Sequence, residues 1–199
     1  MNLSVKALLA SLFLVLIFLV SAGLADEKLA RETPDPNLVE TLVTEWPETG
    51  HWKSALLHNR PGGTVEFFYP EGQGSKDWRE MFSREEQVKA QAFVNMMSRA
   101  REIFLGTQKG SPNATWKILN RQKDENDNRI IIFRIDCPDF TSGEEAQIQL
   151  WKIIEGKTKV FTVQYTFRGK EMPEEKRLEI SKAIDKAYVK VETTPPEKK

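Results

Sequence analysis

The sequence predicts an α+β domain in which an antiparallel sheet of about five to six strands is packed by two main helices. Residues 161–168 alternate strictly, Phe161, Val163, Tyr165 and Phe167 against Thr162, Gln164, Thr166 and Arg168, which is the period of a half-buried strand. A turn, Glu155-Gly-Lys-Thr158, separates that run from a second alternating one, Ala146, Ile148 and Leu150 against Gln147 and Gln149, so the two form a hairpin. Two other segments repeat their apolar residues every three or four positions, and the connections are too short for crossover helices between parallel strands.

In chain order, Met1 to Lys6 carries one positive charge, Ala7 to Val20 is an apolar run, and the small-residue stretch Ser21-Ala22-Gly23-Leu24-Ala25 follows. This is the order of a secretory signal peptide over 1–25, cleaved after Ala25 and directing the chain to the periplasm or outside the cell. The competing reading is an uncleaved anchor, because residues 7–24 are uncharged and at the lower limit for crossing a bilayer core of about 30 Å. Membrane contact is expected only through 7–24, and only without cleavage; the missing Lys/Arg stop-transfer cluster favours cleavage. No cysteine follows the run, which excludes a lipid-modified N-terminus of the bacterial lipoprotein type.

Residues 26–38 read as a polar N-terminal segment, 39–191 as the single α+β domain, and 192–199 as a disordered tail with a Pro-Pro pair. Strands are expected at 51–59 and 64–69, joined by Arg60-Pro-Gly-Gly63, and at 115–120 and 129–136, on either side of the polar run 121–128. A helix is expected over 83–104: Ser83-Arg-Glu-Glu86 has the capping-box spacing, and Val88, Ala92, Phe93, Met96, Met97, Ala100, Ile103 and Phe104 form one stripe that stops at Gly106. A second helix is expected from Pro173, with Glu174 and Glu175 at its positive end and Leu178, Ile180, Ala183, Ile184, Ala187 and Tyr188 on its buried side. The hairpin 146–168 should lie centrally and pack Phe161, Val163, Tyr165 and Phe167 against the 83–104 helix.

Lys+Arg 29 balance Asp+Glu 29, so the basic surplus needed to bind nucleic acid through its phosphates is missing. Cys137 is the only cysteine, so no intramolecular disulfide forms even in an oxidising compartment. At the end of the run 129–136 it reads as a small buried hydrophobe, ahead of an intermolecular bridge or a reactive thiol.

His51 and His58 are seven positions apart, so on one regular strand they point to opposite faces and hold no common metal ion. Asp124-Glu-Asn-Asp-Asn128 resembles the opening of a calcium loop, but Arg129 stands where Gly is required and Ile135 where a bidentate Glu is required; a solvated hairpin loop is the better reading. Gly72-Gln-Gly-Ser-Lys76 lacks the spacing of a phosphate loop and reads as a turn. No spacing selects a pair among Glu66, Glu80, Glu144 and Glu145 for acid–base work, and no nucleophile motif is present. No catalytic residue, metal site or cofactor is therefore assigned.

From Trp52 to Tyr188 the order of features resembles a family of small exported proteobacterial proteins of unassigned activity, each a signal peptide plus one α+β domain. The resemblance rests on Thr64-Val-Glu-Phe-Phe-Tyr-Pro-Glu-Gly72, Trp78, Cys137, Glu145, Gly156 and Val163-Gln-Tyr165. It implies a bacterial envelope or secreted setting and carries no active site to transfer. Members often have a second cysteine near the end of the last helix, and 185–191 here has none.

Five tryptophans are many for one small domain, and an exposed Trp is costly unless it meets a partner. Most are expected in the core; Trp151 shares parity with Gln147 and Gln149, which puts it on the polar sheet face or under a helix. The expectation is a non-catalytic binding or interaction module for a protein or small ligand in the envelope or outside the cell, with Trp78, Glu145 and Trp151 as binding candidates. The alternative is an envelope hydrolase with an unrecognised carboxylate or histidine site.

Overall fold

The computed structural model describes residues 37–89 and 95–193, which belong to one compact unit, 34–199. The expected signal peptide 1–25 lies outside the described residues. In chain order the elements are β1 (Leu38–Val43), β2 (Lys53–Arg60), β3 (Gly63–Tyr69), β4 (Glu80–Val88), α1 (Met96–Gly110), β5 (Thr115–Lys123), β6 (Arg129–Cys137), β7 (Gln147–Glu155), β8 (Lys159–Arg168), α2 (Glu174–Lys186) and β9 (Tyr188–Thr193). Seven strands form one sheet in the order β2-β3-β4-β8-β7-β6-β5, every described pair antiparallel, and β1 pairs with β9 in a separate ribbon. The antiparallel sheet with two helices and the central hairpin β7–β8 hold, an α+β or mainly β architecture; the expectation of five to six strands does not.

The largest correction is at 80–88. The stretch expected to open a helix at Ser83 is strand β4, which pairs with β3 and β8. Ser83 and Glu86 sit in that strand, and the helix begins after Asn95, whose side chain accepts a hydrogen bond from Ser98 N at 2.8 Å. Gly106 does not end α1, which continues to Gly110. Strand β9 reaches Thr193, two residues into the segment read as a tail.

The two faces of the sheet carry separate cores. On the first, Phe82, Leu150, Ile154, Phe161, Val163, Tyr165 and Phe167 pack against Ile180 and Ile184 of α2 and Leu42 and Val189 of the ribbon. The β8 aromatics therefore meet the second helix, not the first as expected: their parity puts them on the face opposite α1. Trp46 and Trp52 close this core, with ring centroids 4.5 and 4.7 Å from Phe82. On the second face, Ile131, Phe133, Ile135 and Ile153 pack against Met96, Met97, Ala100, Ile103 and Phe104 of α1. Leu178 and Tyr188, expected on the buried side of the last helix, are exposed.

Glu40 ties the ribbon to the hairpin. Its buried carboxylate accepts from Lys157 N (2.6 Å), Thr158 N (2.7 Å), Thr158 Oγ1 (2.6 Å) and Lys159 N (3.1 Å), so a charge taken out of water is met by four donors. Gly156 is what allows this approach, since a Cβ there would lie 2.5 Å from Glu40 Oε1.

Candidate functional site

Trp78, Glu145 and Trp151 do not converge on one site. Trp78 lies half-buried under Arg168, whose guanidinium sits 3.9 Å from the ring centroid and donates to Trp78 O at 3.1 Å. Glu145 is exposed in the loop before β7. Trp151 stands in mid-strand on the second face, stacked on Phe133 at 6.0 Å, and donates through Nε1 to Gln149 Oε1 at 3.1 Å. Trp46 and Trp52 serve the first core, Trp116 and Trp151 the second, so the tryptophan surplus is spent mainly on packing.

The polar side of the central strands is not solvated. Ser83, Gln147, Gln149, Thr162, Gln164 and Thr166 are buried, and several satisfy one another: Ser83 Oγ donates to Gln164 Oε1 (3.2 Å), Gln164 Nε2 to Thr166 Oγ1 (2.8 Å) and Gln149 Nε2 to Gln147 Oε1 (3.3 Å). Buried polar groups persist because they are paired. At the edge of this strip the buried Arg99 of α1 reaches both carboxylate oxygens of Glu85 at 3.5 Å.

The carboxylates weighed for acid–base chemistry are dispersed. Glu66 accepts from Arg84 Nε and Nη2 at 2.8 and 2.7 Å. Glu80 accepts from Tyr165 OH at 3.0 Å and pairs with Lys176 at 3.2 Å, fastening α2 to the sheet. Burial, with the Glu80 carboxylate second, holds the Tyr165 phenol well above its ordinary range. Glu144, His51 and His58 are exposed. Cys137 is buried, and burial pushes its thiol up to about 12, the state of an inert core cysteine. Asp124 accepts from Asn126 N and Asn128 N at 3.0 and 2.9 Å, the internal bonding of a tight hairpin loop. Among the described residues no three metal-ligating side chains form a group, and no helix is long and apolar enough to cross a membrane.

The sequence reading missed a surface concavity. A groove of about 380 Å³ runs between α2 and the β5 side of the first face. Leu119, Ile132, Leu150 and Ile184 give it an apolar floor, and Asn120, Ser181, Lys182 and Asp185 a polar rim. Its size falls in the range of ligand sites, and an aliphatic floor with a few polar groups is their usual make-up. α2 packs chiefly on β7 and β8, and the groove opens on its β5 side. Behind the floor lies Lys152, 2% exposed, its Nζ donating to Asp185 O at 2.7 Å at the end of α2. Burial lowers its pKa, partly offset by the Asp185 and Asp124 carboxylates. No single sequence signal marked this site: it joins residues from β5, β6, β7 and α2.

No family model matches the chain, and no curated protein matches it either.

Proposed function

We propose that this protein is a non-catalytic binding or interaction module of the bacterial envelope or the secreted fraction, and that it binds through the groove between α2 and β5. The observation that carries the reading is the groove itself: a concavity of about 380 Å³ beside a sheet edge, with the exposed Leu119 and a polar rim over the buried Ile132, Leu150 and Ile184. The dispersal of the weighed carboxylates and histidines supports it. Export rests on the charged, apolar and small-residue order of 1–25. Mass spectrometry of the native protein is expected to find Asp26 at the N-terminus; a species retaining Met1 to Leu24 would mean an inner-membrane anchor.

The test of binding is capture of a partner from envelope extract and culture fluid by the wild-type protein and by Ser181→Trp. Ser181 is exposed on the rim, so an indole there fills the groove without entering the core. A partner held by the wild type and lost by Ser181→Trp supports the reading. Capture indifferent to the substitution moves the site elsewhere, and hydrolytic turnover that disappears in Glu145→Gln or His58→Ala would replace the reading with an enzyme.

A further inference from the structure

We infer that this protein forms a two-fold dimer by pairing strand β2 with β2 of a second copy, antiparallel and edge to edge. The inference stands apart from the groove, which lies at the other end of the sheet.

Among the described residues β2 and β5 are the outer strands of the seven-stranded sheet, and no strand pairs with the free side of either. Such an edge is a template for another chain unless charge guards it. β5 is guarded: Lys117 and Arg121 make no ion pair among the described residues, so pairing it with a second copy brings like charges together. β2 is not. Its two cations stand at its ends and are neutralised within the chain, Lys53 by Glu71 and Arg60 by Glu85 at 3.7 Å. Between them Ser54 to Asn59 include no Lys, Arg, Asp or Glu, all are exposed, and Leu56 and Leu57 are 42% and 57% exposed.

A second copy is the occupant this edge fits. Selection of a foreign strand rests on free charges beside the edge, and those of the hollow next to β2 are already paired, Arg60 with Glu85 and Lys159 with Glu86 at 3.0 Å. A two-fold axis instead makes the uncharged strand complementary to itself. The register shift in the β2–β3 pairing between Ser54 and Leu56 leaves Leu56 to Arg60 as the regular stretch, and an axis beside His58 uses all of it. His58 then faces His58 of the copy, Leu57 faces Asn59 and Leu56 faces Arg60, so no Lys or Arg opposes another. The parity of β2 puts Leu57 on the first face, where the two copies of Leu57 become diagonal neighbours about 7–8 Å apart. One strand pair is a small interface, so the dimer is weak and reversible, with a dissociation constant in the micromolar range. It joins two seven-stranded sheets into one and leaves a groove at either end.

The test is sedimentation velocity of the protein isolated with its native N-terminus, between about 1 μM and 1 mM. We expect a monomer that converts to a dimer across this range. Leu57 is exposed, so Leu57→Lys and Leu57→Glu should leave the melting temperature unchanged. Each should weaken the dimer about tenfold or more by setting like charges beside the axis, and an equimolar mixture of the two should recover it as the mixed dimer, identified by native mass spectrometry. Leu178→Lys, at a similarly exposed position on α2, should leave the dimer as it is. A wild type that stays monomeric at the highest concentration, a dimer untouched by Leu57→Lys, or a mixture that fails to recover overturns the inference. A dimer lost in Leu178→Lys also overturns it, by placing the contact on α2.

Discussion

On the face covered by α1, Phe104 stacks on Trp116 at 5.2 Å with ring planes 9° apart, and Trp116 meets Phe133 edge-on at 6.2 Å. That aromatic pile carries α1 out to the edge strand and seals the core. On the opposite face at the same end of the sheet, α2 lies over β7 and β8, and Ile132 and Leu150 become the floor of an open groove beside the exposed Leu119. Both sides of this end are apolar, yet only one is closed. Ile132, Leu150 and Ile184 are themselves buried, so the apolar surface that a partner could cover on that side is chiefly Leu119, 47% exposed, at roughly 25 cal/mol per Å² removed from water.

The comparison breaks first if the faces are unequal as cores. Phe161 is fully buried on the first face and Phe133 on the second. Phe161→Asp and Phe133→Asp should each remove several kcal/mol, enough to unfold a domain of ordinary stability, as urea titration followed by circular dichroism would report. Survival of one would show that its face is dispensable.

Next in size is the carboxylate tying the ribbon over the first face. Glu40→Ala gives up four hydrogen bonds to a buried charge and should cost about 2–4 kcal/mol. Gly156→Ala displaces the same carboxylate, so the double variant should lose less than the sum of the two singles.

The sealed and open sides are then compared directly at β5. Trp116→Ala removes the stacked seal and should cost about 2 kcal/mol, whereas Leu119→Ala, 47% exposed, should cost less than about 0.5 kcal/mol and instead weaken binding. Equal thermal shifts would erase the distinction.

The smallest effect concerns Lys152 behind the groove. Its pKa is lowered in the fold, so the native state disfavours the proton that the unfolded chain keeps up to about pH 10.4. Below the folded pKa both states are protonated and the native state bears the full penalty; as pH rises from the folded to the unfolded value, the unfolded state binds more protons and the wild type gains stability. Lys152→Met should thus be about 1 kcal/mol more stable at neutral pH, with a margin that narrows towards alkaline pH. Melting curves between neutral pH and pH 10 check both the sign and the trend.

The hairpin β7–β8 was legible because apolar and polar residues alternate within one local run, although both of its faces are buried, and its turn needs a small residue at Gly156. β4 was not. Phe82 enters the first core, while Ser83 and Glu85 join the buried polar strip and the ion pair beside it, so no alternation of apolar residues marks the strand. The Ser83-to-Glu86 spacing then imitated a helix start. β1 and β9 are short and pair across nearly the whole chain, a contact without local signal. Trp151 landed where its parity put it, on the second face beside Gln149. The groove was out of reach because it depends on where α2 stops, which packing on β7 and β8 determines.

Hydrogen–deuterium exchange of the protein with and without the partner captured by the wild type is the most direct measurement of the groove. Slowed exchange in β5, over 115–123, and at the end of α2 around Ser181 to Asp185 is the predicted footprint. Slowing confined to β2 or α1, with β5 unchanged, would contradict it.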